Sequence, residues 1–102
     1  MTVLSETLPG GEEIVFRLFV ARDETNSRRA EANFKELCES RIDKAFEIEI
    51  VDVLQSFKIA LENNIYLTPA LVKVSPEPRV IIFGDLSDAE TVLKALQLGE
   101  DE

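Results

Sequence analysis

Leu67-Thr68-Pro69-Ala70-Leu71-Val72-Lys73-Val74, then Ser75-Pro76-Glu77-Pro78, then Arg79-Val80-Ile81-Ile82-Phe83-Gly84-Asp85-Leu86-Ser87, is the stretch on which the fold turns. Apolar and β-branched runs flank two prolines in four residues. Proline has no N–H to give to a ladder, so the reading is two strands joined by a hairpin connection. Gly84 ends the second strand, and Ser87-Asp88-Ala89-Glu90 reads as a capping box that opens a helix on Ser87. Val92, Leu93 and Leu96 give that helix a buried stripe.

Working toward the N-terminus, Ser56 to Asn64 predicts a short helix containing Phe57, Ile59, Ala60 and Leu61 and ended by Asn63-Asn64. Phe46-Glu47-Ile48-Glu49-Ile50 alternates apolar and acidic, the pattern of a strand with one covered face and one wet face. Ile14 to Ala21 is a buried strand by composition. The helix after it is capped by Ser27 or Asn26 and buries Ala30, Phe34, Leu37 and Cys38, with Arg28, Glu31, Lys35 and Glu39 outside. The order β-α-β-α-β-β-α predicts an α/β domain with helices on a four-stranded mixed sheet, and it resembles the thioredoxin-like fold. In that fold the proline of the Thr-Pro pair is usually cis and stands beside a Cys-x-x-Cys redox centre. Here that place holds Arg22-Asp23-Glu24-Thr25-Asn26-Ser27-Arg28. The scaffold is expected without its chemistry, which moves function to binding.

One domain is expected over residues 1–102, with a flexible lead-in over 1–12 and an acidic tail over 99–102. The net charge of −9 argues against a phosphate backbone as partner, so no nucleic acid is expected. No apolar run is long enough for a membrane span and no secretory leader is read, leaving the cytoplasm as the expected compartment. With one cysteine and no histidine there is no internal disulfide, and neither a metal nor any other cofactor is expected. Cys38, on the apolar helical face, reads as core filler. The carboxylate pairs Glu12-Glu13, Glu47/Glu49 and Asp85/Asp88 read as lead-in, solvated strand face and helix entry, so no catalytic residue is expected. Gly84-Asp85 reads as a strand-to-helix turn rather than a phosphate cradle. Arg28-Arg29 opposes the dipole at a helix N-terminus, which suits a surface role.

Five pieces accumulate into one likeness: Leu18-Phe19-Val20-Ala21; Thr25-Asn26-Ser27 with Arg29-Ala30; Val51-Asp52-Val53-Leu54; Thr68 to Val74 with prolines after it; and Gly84-Asp85-Leu86-Ser87. In this order and spacing they resemble the KaiB family of circadian clock proteins over roughly residues 14 to 98. The resemblance implies a non-enzymatic protein that binds the hexameric ATPase KaiC, and whose bound form in cyanobacteria recruits KaiA and displaces the kinase SasA. It also implies metamorphism, in which a self-associating ground state, a dimer or tetramer with a different fold in the C-terminal half, exchanges with a thioredoxin-like monomer that binds KaiC.

Residue by residue, the resemblance carries over Asn26, Arg29 and Lys73 as partner-binding positions. Pro69, Pro76, Pro78, Gly84 and Asp85 are carried over as fold-switch candidates, since X-Pro isomerisation is slow and glycine is permissive. Two departures stand out: Val80-Ile81 where cyanobacterial members have basic residues, and Glu49 where they have a lysine facing KaiA. These argue against KaiA joining any complex. Two other readings remain: a thioredoxin-like oxidoreductase relative using Cys38, and a stand-alone form of the KaiB-like input module found ahead of histidine kinases.

Overall fold

The computed structural model describes residues 13–97; the lead-in over 1–12 and the acidic tail over 99–102 lie outside the described residues. The elements run β1 (Ile14–Val20), α1 (Thr25–Arg41), β2 (Phe46–Asp52), α2 (Phe57–Glu62), β3 (Ala70–Ser75), β4 (Val80–Phe83) and α3 (Ala89–Leu96). The sheet order is β2-β1-β3-β4. β1 is parallel to β2 and antiparallel to β3, and β3 is antiparallel to β4, as a hairpin requires. The expected order and the mixed four-stranded sheet are both present.

Alternation along β1 explains the layers. Ile14, Phe16, Leu18 and Val20 point to the face covered by α1 and α3, where they join Phe34, Leu37, Cys38, Leu71, Leu93 and Leu96 in one core. The Phe16 and Phe34 rings meet edge to face, 4.9 Å between centroids at 82°, the arrangement aromatic quadrupoles favour. Phe19 points the other way, into a second and smaller core with Val51, Ala60, Ile65, Ala70 and Val72. β2 is an edge strand, and its exposed Glu47 and Glu49 alternate with half-buried Phe46, Ile48 and Ile50, as the pattern predicts. Between β1 and β3 the register slips: Val15 pairs with Ser75 and Phe16 with Lys73, leaving Val74 as the extra residue of a bulge.

Both helix caps differ from expectation by local competition for hydrogen bonds. α1 starts after Glu24, so Asn26 and Ser27 lie in its first turn instead of capping it. The buried Ser27 hydroxyl accepts the Ala21 N–H at 2.9 Å, satisfying a donor at the end of β1. In α3 the cap is Asp88, not Ser87. Its carboxylate accepts the Thr91 N–H at 3.2 Å and the Thr91 hydroxyl at 2.8 Å. The Ser87 N–H instead donates to Asp85 Oδ1 at 3.0 Å, closing the turn in which Gly84 (φ 119°) and Leu86 (φ 62°) are left-handed. The Asn63-Asn64 stop behaves as read: α2 ends at Glu62 and Asn64 takes φ 62°. The Thr68-Pro69, Ser75-Pro76 and Glu77-Pro78 bonds are all cis.

Candidate functional site

The second face of the sheet is only partly covered, because α2 has six residues and buries one of them, Ala60. Phe57 and Leu61 fall four apart on one face of α2, Leu54 lies in the turn before it, and all three are exposed. Tyr66 (72 % exposed) and Leu67 (67 %) follow in the loop that leads into Pro69. With Ile59, six large apolar side chains thus face solvent from a single segment of fourteen residues, 54 to 67. A patch of this kind on a small domain marks an interaction surface more often than a packing accident.

The C-terminal part of that segment and the residues just after it are tied down. The Arg79 guanidinium donates to the Asn63 carbonyl at 3.3 Å, and the Gly84 N–H donates to the Pro69 carbonyl at 3.1 Å. The Thr68 hydroxyl reaches Glu24 Oε1 at 3.4 Å. This last contact joins the cis-proline loop to the entry of α1, the place a redox cysteine pair would occupy. What stands there instead is polar and charged, with no sulfur.

Asn26 and Arg29 are both exposed, three residues apart near the start of α1. The neighbouring Arg28, also exposed, is engaged, its guanidinium donating to the Arg22 carbonyl at 2.9 Å, while Arg22 pairs with Glu31 at 3.2 Å. Arg29 has no hydrogen-bond or ion-pair partner among the described residues. Lys73 is not with them. It is 4 % exposed, faces the α1/α3 core, and donates to the Leu96 carbonyl at 3.4 Å. The structure thus brings Asn26 and Arg29 to the surface together and buries Lys73, because alternation from Leu71 along β3 puts Lys73 on the covered face opposite Phe16.

Of the fold-switch candidates, Pro69 is buried, Pro76 is half-buried and Pro78 is exposed at the hairpin. Gly84 has open space where a Cβ would sit, so only its positive φ calls for glycine. The Asp85 carbonyl accepts the Asn33 side-chain amide at 2.8 Å. Glu49 forms an ion pair with Arg17 at 2.9 Å on the wet side of the sheet. Val80 and Ile81 lie half-buried in β4, paired with Lys73 and Val72.

The Cys38 thiol is pushed up to about 12, chiefly by burial and secondarily by the Glu39 charge. A thiol held protonated supplies no thiolate, and nucleophilic chemistry needs one. Among the described residues no group of three or more His, Cys, Asp or Glu is placed to hold a metal, and no helix is long and apolar enough to cross a membrane. Reading the residues alone missed the exposure of the 54–67 segment. Its signal was there: apolar residues with mixed periodicity, more than one short helix can bury.

Comparison with known proteins places residues 17–98 in a match to the KaiB domain. The circadian clock oscillator protein KaiB of Prochlorococcus marinus (strain NATL2A) is 41% identical over 88 residues, covering 86% of this chain and 82% of that protein. The circadian clock protein KaiB3 of Synechocystis sp. is 36% identical over 85 residues, 83% of each. Among solved structures, the N-terminal domain of Synechococcus elongatus SasA superposes with a TM-score of 0.69 at 24% identity, covering 96% of this chain and 95% of that one. At that identity the likeness speaks for the fold, which it shares.

Proposed function

The chain belongs to the KaiB family, and we propose that it is a non-enzymatic regulator that binds a KaiC-type hexameric ATPase and modulates its cycle in circadian or timer-like signalling. The observation that carries this reading is the exposed apolar segment of residues 54–67. Burying apolar area against a partner supplies a stable interface, and the charged rim selects which partner. Asn26 and Arg29, both exposed near the start of α1, contribute polar contacts to an acidic partner surface. Lys73, buried in this fold, presents no ammonium to that surface.

KaiA stays out of the complex. Glu49 presents a carboxylate on the wet side of β2 and already holds Arg17, so a partner built to meet a lysine there finds the opposite charge. A self-associated ground state, a dimer or tetramer with a rearranged C-terminal half, exchanges with this fold; Pro69, Pro76, Pro78, Gly84 and Asp85 mark where the backbone would rearrange.

Co-migration on a sizing column with the KaiC-type ATPase of the same organism, with ATP and sampled over many hours, tests the reading. A complex that appears slowly supports capture of a minor state. A complex complete at the first sample supports a constitutive module of the kind found ahead of histidine kinases. No complex at any time overturns the reading.

A further inference from the structure

Among the described residues, Ser27 and Lys73 are the buried polar side chains, and Lys73 is the buried charge. Ser27 is well served by its 2.9 Å contact. Lys73 is not. Its ammonium has three donors and makes one hydrogen bond, to the Leu96 carbonyl at 3.4 Å, beyond the usual range for N–H···O. No described carboxylate lies within ion-pair distance of it.

The one contact it makes is with the last residue of α3, whose C-terminal carbonyls carry partial negative charge and attract a cation. That attraction is modest, whereas withdrawing an ammonium from water is expensive. The imbalance has a direction. α3 is eight residues long and docks through Val92, Leu93 and Leu96 over the side chain of Lys73. Lifting α3 exposes those three residues to water and returns the ammonium to it at the same time. The buried polar group of α1, Ser27, is uncharged and accepts the Ala21 N–H at 2.9 Å, so it exerts no such pull.

We infer that Lys73 is a built-in release for α3: its buried charge offsets part of the apolar docking of that helix and makes α3 the element that opens ahead of the rest of the fold. The inference is independent of the proposed partner and of any second fold. It predicts a local equilibrium in the free protein, a partial opening of the kind amide exchange detects.

Native-state hydrogen exchange on the whole chain and on Lys73→Met tests it, because methionine keeps the length and removes the charge. In the native sequence, α3 amides should exchange through a smaller opening free energy than β1 amides. In the variant, α3 amides should slow by about tenfold or more, as removal of a poorly compensated buried charge implies. α2 packs on the opposite face, so its local opening leaves position 73 buried and its amides should change less than about twofold. The inference is overturned if α3 exchanges as slowly as β1 in the native sequence. It is equally overturned if α3 amides in the variant keep their rate, exchange faster, or belong to a chain that no longer folds.

Discussion

On one face of the sheet, α1 and α3 cover Phe16, Leu18, Phe34 and Leu96 so fully that the side chains form a closed core. On the other, the six residues of α2 bury Ala60 and leave Phe57 65 % exposed and Leu61 51 % exposed. Both faces are apolar in composition, and what differs is how much helix is laid over each. The first face stabilises the domain. The second retains apolar surface that folding leaves unused, and this makes it available to a partner.

The sharpest way to break the contrast is to truncate one aromatic on each face. Phe34→Ala should cost about 3–5 kcal/mol in urea unfolding, the transfer loss plus the cavity left against Phe16. A cost below about 1 kcal/mol would mean that the closed core is looser than its burial indicates.

Cys38 probes the same core by titration. Its thiol is held near 12 in the folded protein against an ordinary 9.0, so above pH 9 the unfolded chain releases a proton that the folded one keeps. Stability therefore falls as pH rises from 9 toward 12, by up to about 1.4 kcal/mol per pH unit. Cys38→Ala removes this contribution, and urea midpoints of the two proteins should diverge only above pH 9. Parallel curves would show that the thiol is not in the dry core.

At the edge of that face, Asp88 caps α3 with a carboxylate held below its ordinary 3.8, first by the Thr91 hydroxyl and then by backbone N–H groups. A depressed carboxyl contributes above its unfolded value and loses that contribution as pH falls through its folded value. Asp88→Asn should keep the cap and flatten the acid limb of the thermal midpoint, and an unchanged acid limb would contradict the capping assignment.

The smallest effect on stability is expected on the open face. Phe57→Ala should shift the urea midpoint by no more than about 0.5 kcal/mol while abolishing co-migration with the KaiC-type ATPase. A large loss of stability would erase the distinction between the faces, and retained binding would move the docking surface elsewhere.

Much of the architecture was legible from local pattern. The alternation at Phe46–Ile50 announced an edge strand with one wet face, the two prolines at 76 and 78 announced a hairpin, and Asn63-Asn64 announced the end of α2. The caps were less so. Ser27 and Ser87 were sound cap residues by type, yet Ser27 was claimed by an orphan N–H at the end of β1 and Ser87 was displaced by the two bonds Asp88 makes to Thr91. Of the candidate site, Asn26 and Arg29 lay where a helix entry would put them. Lys73 did not, since a lysine in a strand reads as outward until its pairing with Phe16 and the helix packed above show that face to be covered.

By itself the sequence determined the element order, the redox-dead loop at residues 22–28 and membership in the KaiB family, because periodicity, punctuation and motif spacing are local properties of the chain. Tertiary structure alone decided which apolar residues are covered and which charge is buried. Exposure of Phe57 and burial of Lys73 depend on what packs above them, and no spacing along the chain states how far a six-residue helix or an eight-residue one reaches across a sheet.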